Sequence, residues 1–105
     1  MSIEMDMSKL VTADAKATEA KAMRARAIKD TCATRIAAIL DANTMANIQS
    51  AAIIDALTTE QMETFRSAQQ WISAMLSTAR HAISEEIAPD WPKIPEGLHD
   101  LVAEF

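Results

Sequence analysis

Proline and glycine are almost absent from this sequence, and the few that occur are confined to one short segment. The 105 residues include three prolines and one glycine, and all four fall between Pro89 and Gly97. The first 88 residues therefore contain neither of the usual helix breakers. With one glycine, neither common type of glycine-rich phosphate loop can be written, which excludes nucleotide-dependent activity by those routes.

Cysteine and long apolar runs are also scarce. The single cysteine, Cys32, excludes an internal disulfide and any metal site built from several cysteines. The stretch MSIEMDMSKL is acidic and lacks the apolar core of a signal peptide, and no apolar run is long enough to cross a bilayer. We therefore expect a cytoplasmic protein that does not bind membranes.

Large apolar side chains are few as well. Tyrosine is missing, only two tryptophans and two phenylalanines occur, and 21 residues are alanine, which favours helix but buries little surface. This composition predicts a single all-α domain with a thin core, part of whose apolar surface is left for a partner.

Charge is unevenly distributed around the net value of −5. Residues 16–35 carry a local excess of four basic side chains, and residues 85–105 a local excess of five acidic ones. These opposite fields can pair within the chain or between copies. The basic residues are scattered around a predicted helix without interleaved aromatic residues, which argues against nucleic-acid binding.

A first helix is predicted over residues 12–41, capped by Thr12 and preceded by an N-terminal extension, residues 1–11. From Ala25 onward its apolar positions recur every three or four residues, whereas the first half is rich in alanine on all sides. Asn43 or Thr44 can cap a second helix over 43–57. Its apolar positions point in several directions, which is typical of a helix sandwiched between neighbours.

The third helix is predicted over 58–87, where Thr58 and Gln61 match a capping box. Its apolar stripe consists of Met62, Phe65, Ile72, Leu76, Ala79, Ile83 and Ile87. Trp71 lies off that stripe among small residues, which suggests a docking point for another segment. The alternative is a partly exposed tryptophan at the margin of the stripe.

The three prolines are spaced by three, as in a polyproline II segment, so residues 88–97 are predicted to form a stiff link. Residues 98–105 then form a short amphipathic helix that the link carries back onto the bundle. An exposed proline-rich ligand for another protein is the alternative. The candidate interaction residues are Trp71, Trp91, Ile94, Leu98 and Phe105.

No convincing catalytic, cofactor or metal site emerges from the sequence. His81 and Glu85 have a spacing suited to two metal ligands on a helix, but zinc usually needs a third protein ligand. Cys32 lies on the apolar stripe of the first helix, where cysteine behaves as a core residue. We predict no enzyme activity, no cofactor and no metal.

Residues 57–83, LTTEQMETFRSAQQWISAMLSTARHAI, together with the preceding CATRIAAIL helix and the tryptophan–proline tail, resemble small helical proteins encoded beside phage and prophage tail-fibre genes. The resemblance implies a tail-fibre assembly or tail accessory protein, in the host cytoplasm or on the virion, that binds another protein. Many such proteins also carry a β-rich N-terminal part, and we expect no counterpart of it within these 105 residues. A small inhibitor of a host enzyme or defence complex, with the acidic tail as contact surface, is the alternative.

The predicted helix lengths bear on association. A second helix of about 15 residues returns only about 22 Å, so the third helix starts midway along the first. The N-terminal half of the first helix then lacks an intrachain neighbour. We expect a homo-oligomer or, failing that, a mobile arm.

Overall fold

A computed structural model describes the backbone of residues 2–105 and the side chains from residue 13 onward. It contains four helices, α1 Ser2–Ile39, α2 Ala42–Ile53, α3 Thr59–Glu85 and α4 Leu98–Ala103. Over the described residues no strand forms. The predicted all-α fold is therefore confirmed, with two long helices, a short helix between them in the chain and a short C-terminal helix.

α1 begins earlier than the sequence predicts. Its backbone is helical from Ser2 to Ile39, so the predicted extension over residues 1–11 and the predicted cap at Thr12 are wrong over the described residues. A residue with the chemistry of a cap begins a helix only where the residues before it are not helical. Residues 2–11 contain no proline or glycine that would interrupt the helix, so it continues through Thr12. At 38 residues α1 is about 57 Å long, against about 40 Å for the 27-residue α3.

α2 starts and ends differently from the prediction. Its cap is Asp41, whose carboxylate accepts a hydrogen bond from the backbone N–H of Thr44 at 2.7 Å. The helix ends at Ile53 instead of at residue 57, because Asp55 adopts a left-handed conformation with φ of 58°. The N–H of Ala56 then bonds back to the carbonyl of Ala51 at 2.8 Å, as in a Schellman motif.

α2 is not sandwiched between neighbours, and that prediction is wrong. Ile48 is fully buried, whereas Ile53 and Ile54 are 84% and 75% exposed. α2 connects the end of α1 to the start of α3, so it lies at one end of the helix pair and covers it with a single face.

α1 and α3 run antiparallel. Arg24 reaches the C-terminal end of α3, while Arg35 lies beside Trp71 in the middle of α3. Three small residues of α3, Ala68, Ala79 and Ala82, are buried, and small side chains at a contact allow helices to approach closely. The buried apolar residues form one cluster: Ile28, Cys32, Leu40, Ile48, Leu57, Phe65, Ala68, Trp71, Met75, Ala79, Ala82, Leu98 and Leu101.

The start of α3 confirms the predicted capping box. The hydroxyl of Thr58 accepts from the N–H of Gln61 at 3.1 Å, and the Gln61 side chain accepts from the N–H of Thr58 at 2.8 Å. The helix ends at Glu85, and Glu86 adopts a left-handed conformation with φ of 54°.

The predicted stripe of α3 is only partly correct. Leu76 and Ile87 are each 46% exposed, and the buried line runs instead through Phe65, Ala68, Trp71, Met75, Ala79 and Ala82. The difference arises because the C-terminal segment covers the side of α3 that carries Trp71. That segment folds back as predicted, and its Leu98 and Leu101 are buried.

Candidate interaction surfaces

Trp71 anchors the proline-rich link. Its side chain is 5% exposed, and the indole N–H donates a hydrogen bond to the carbonyl oxygen of Pro92 at 3.3 Å. The carbonyl of Pro92 is free to accept this hydrogen bond because the link forms no helix or strand in which a backbone N–H would occupy it. The prediction that another segment docks on Trp71 is confirmed.

Trp91 lies at the edge of a shallow cleft between the link and α1. Its ring is half-buried, and the guanidinium carbon of Arg35 lies 5.6 Å from the ring centroid, within the range of a cation–π contact. The cleft has a volume of about 340 Å³, and Lys93 and Ile94 also line it. Its floor is apolar and two cations flank it.

The five candidate interaction residues fall into two groups. Trp71 and Leu98 are buried and hold the tail in place, so neither faces solvent in this conformation. Trp91 and Phe105 are half-buried, and Ile94 is 40% exposed. Contact between these three residues and another protein stays a prediction.

An exposed apolar site that the sequence analysis missed lies at the turn between α2 and α3. Ile53 and Ile54, which we call the apolar tip, present two adjacent branched side chains to solvent. The periodicity of α2 assigned them to a second buried face. The missed signal is Asp55, which tolerates a left-handed conformation and ends α2 before a neighbour can cover these residues.

The opposite end of the molecule is the N-terminal part of α1. We call residues 2–20 the arm; every side chain described in it, from residue 13 to residue 20, is exposed. The arm meets the rest of the molecule near Arg24, whose guanidinium donates to the carbonyl oxygens of Ala82 at 3.3 Å and Ile87 at 2.6 Å. The carbonyl of Ala82 also accepts from the backbone N–H groups of Glu86 and Ile87, so Arg24 adds a side-chain bond to the turn that ends α3. An exposed ion pair, Lys21 with Glu86 at 3.4 Å, adds little.

Catalytic chemistry finds little support in the side-chain geometry. Ser77, His81 and Asp90 line a second cleft of about 340 Å³, but no hydrogen bond joins them in the described part of the chain. From residue 13 onward no group of three potential ligands could hold a metal ion. Burial raises the pKa of the Cys32 thiol, which keeps it protonated and a poor nucleophile near neutral pH.

An acidic depression separates α4 from the start of α3. It has a volume of about 660 Å³, and its lining includes the carboxylates of Glu60, Asp100 and Glu104. The Gln61 side-chain amide donates a hydrogen bond to Glu104 across it. Near α2, the Asn47 side chain donates to the carbonyl oxygen of Phe105 at 3.3 Å. These bonds fix α4 while its acidic side chains remain exposed.

Comparison with protein-family models, with curated proteins and with solved structures gave no match. Among the described residues, each helix is too short or too polar to cross a bilayer.

Proposed function

We propose that this protein acts without catalysis, by binding another protein through the apolar tip during assembly of a phage tail or tail fibre. The observation that carries the binding role is the exposure of Ile53 and Ile54, at 84% and 75%. Burying one such side chain in a complex contributes about 1.5 to 3 kcal/mol, so two adjacent isoleucines are a strong candidate for the centre of an interface.

The residues that flank the apolar tip hold it in a fixed conformation. The turn that carries the tip is held by the Ala56–Ala51 hydrogen bond and is followed directly by the capping box of α3. A preorganised turn loses little conformational entropy on binding. The role in a phage tail rests on the sequence resemblance, which implies a protein of the host cytoplasm or of the virion. The proposed binding needs no nucleic acid, membrane or cofactor.

Affinity capture from induced or infected cells, followed by mass spectrometry, tests this proposal. The test variant is Ile53→Asp with Ile54→Asp, and the control is Gln69→Asp with Gln70→Asp, which adds the same charge at exposed positions of α3. We expect wild-type protein and the control to capture the same tail or tail-fibre protein, and the tip variant to lose it. Equal capture by all three proteins would contradict a role for the tip.

The acidic depression supports a second candidate, a small inhibitor that presents carboxylates to a basic surface of a host enzyme or defence complex. The exposed acids of α4 and of the first turn of α3 carry this alternative. Under it, Asp100→Asn with Glu60→Gln abolishes capture of a host protein, and the tip variant retains it. The two candidates thus predict opposite behaviour of the same pair of variants.

A further inference from the structure

Two cations and an apolar floor meet in the cleft between α1 and the proline-rich link. Arg35 comes from α1 and Lys93 from the link, so each wall of the cleft contributes one positive charge. The buried side chains of Trp71 and Met75 also line the cleft, and Ile94 adds an apolar side chain that is 40% exposed. The cleft therefore offers an apolar contact flanked by two positive charges.

These two cations lack a carboxylate of their own. No acidic side chain of the described residues lines the cleft, although acidic residues outnumber lysine and arginine by 15 to 10 in the sequence. Asp90 of the link lines the other cleft instead, and the one ion pair among the described residues joins Lys21 to Glu86 at the end of α3. A carboxylate from another molecule can therefore pair with Arg35 or Lys93 without displacing an internal partner.

Arg35 is positioned by the ring beside it. Its guanidinium carbon lies 5.6 Å from the centroid of the Trp91 ring, and this cation–π contact leaves the fork of N–H donors for a bidentate contact with a carboxylate. The floor is fixed as well, because the indole N–H of Trp71 donates to the carbonyl oxygen of Pro92 at 3.3 Å. A cleft with fixed walls loses little conformational entropy when a ligand binds.

The charge around the cleft limits the kind of anion that fits. Residues 85–105 carry six acidic side chains, and Lys93 is their single lysine or arginine. A nucleic acid, with a charge at every phosphate, would meet these acids as soon as it left the cleft. A ligand with only two carboxylates matches the two cations and brings no further negative charge to the acidic surroundings.

The volume of the cleft sets the size of the apolar group. About 340 Å³ is at the small end of the range for ligand sites, roughly 300 to 1,000 Å³. Because the cleft is shallow, it suits one side chain of a peptide better than a small molecule, which usually needs a pocket that covers most of its surface. One apolar side chain with an acidic residue on each side fits both the volume and the charges.

We propose that this cleft binds a peptide segment of another protein in which one apolar side chain lies between two acidic residues. The apolar side chain contacts Trp91 and Ile94, and the two carboxylates pair with Arg35 and Lys93. The cleft shares no residue with the apolar tip, so this proposal and the proposed function can fail separately.

Binding of a short capped peptide to the full chain tests the proposal. The probe has the sequence glycine–serine–aspartate–phenylalanine–glutamate–serine–glycine; one control peptide replaces the two acids by asparagine and glutamine, and another replaces the phenylalanine by serine. We expect saturable binding of the probe, seen by NMR as a shift of the Trp91 indole N–H signal, and about tenfold weaker binding of each control peptide. No saturable binding, or equal binding of the acidic and the neutral peptide, would overturn the proposal.

Matched variants of the protein locate the site. Arg35→Gln with Lys93→Gln removes the two cations, and the control Arg26→Gln with Lys29→Gln removes the same charge at exposed positions of α1 that do not line the cleft. The control should bind the probe like wild type, whereas the cleft variant should bind it about tenfold more weakly and no longer distinguish it from the neutral peptide. Equal binding by the two variants would contradict the site.

The apolar contact is tested in the same assay. Ile94→Ser should weaken binding of the probe, whereas Ile87→Ser, which changes the same residue type at a similar exposure of 46%, should not. All six substituted side chains are exposed, so circular dichroism should give unchanged helix content for every variant. The comparison of peptides on wild-type protein stands even where a variant fails to fold.

Two further measurements separate this site from the alternatives. A single-stranded oligothymidylate should not displace the probe; displacement by it at the concentration of the probe would overturn the peptide assignment in favour of nucleic acid. The tip variant, Ile53→Asp with Ile54→Asp, should bind the probe like wild type. Loss of probe binding in the tip variant would mean that the peptide occupies the tip and would overturn the proposal.

Discussion

The two halves of α1 differ in what surrounds them, although both are continuous helix. From Arg24 to Ile39 the helix contributes Ile28 and Cys32 to the core, whereas all described residues from 13 to 23 are exposed. Both halves are rich in alanine and free of proline and glycine. The comparison shows that in this chain helix propensity decides where α1 exists, and the few large apolar side chains decide which part of it is anchored.

The largest effect on stability is expected from deleting the C-terminal segment, whereas a deletion of similar length in the arm should have none. Deleting residues 98–105 removes the buried Leu98 and Leu101 and uncovers the Trp71 side of α3, so we expect loss of a cooperative thermal transition or a large fall in its midpoint. Deleting residues 2–12 should leave the midpoint of a dilute sample unchanged. Melting followed by circular dichroism measures both. A tail deletion that melts like wild type would mean that the tail adds nothing to the body.

The two tryptophans should differ in the same measurement. Trp71→Ala removes a buried ring and the hydrogen bond to Pro92, with an expected cost of about 3 to 5 kcal/mol. Trp91→Ala removes a half-buried ring and its contact with Arg35, for which we expect about 1 to 2 kcal/mol. Denaturant unfolding gives both values. A larger cost at Trp91 would reverse the ranking and make the link the better anchored side.

Two positions with positive φ should respond in opposite directions. Gly97 has φ of 82°, and an added Cβ would lie 3.4 Å from the Thr64 hydroxyl, so Gly97→Ala strains the backbone mainly and should cost about 1 to 2 kcal/mol. Asp55 already occupies the left-handed region, so Asp55→Gly should stabilise by about 0.5 to 1 kcal/mol. Equal signs in denaturant unfolding would contradict this account of the two turns.

The smallest effect concerns the cap of α2. The hydrogen bond from the N–H of Thr44 lowers the pKa of Asp41 below its ordinary value. A carboxyl whose pKa is lower in the folded state stabilises the protein above its unfolded pKa, and this contribution is lost as the pH falls below about 4. Asn caps a helix as well as Asp does but does not titrate. Wild type should therefore lose stability relative to Asp41→Asn on acidification, as thermal melts at several pH values would show; parallel curves would contradict this.

Features set by neighbouring residues in the chain could be predicted from the sequence. The capping box of Thr58 with Gln61 needs only residues three apart, and the link follows from the prolines. The docking of a segment on Trp71 was also predictable, because a large ring among small residues leaves room for one.

Features set by distant parts of the chain were not predictable. The buried line of α3 depends on which side the tail covers, and alanine leaves that choice open because it is compatible with burial and exposure alike. The exposure of Ile53 and Ile54 depends on where α2 ends, which a left-handed aspartate at residue 55 decides. The helical start at Ser2 was missed because Thr12 has the side chain of a typical N-cap. A cap also requires that the residues before it be non-helical, and here they are helical.

The length of α1 sets a spacing. The molecule is 74 Å long and only 22 × 18 Å across, with the apolar tip at one end and the arm at the other. A partner bound at the tip therefore leaves the exposed helix of the arm uncovered, because the two surfaces share no residue. Two separate contacts can form on one chain without competing for space.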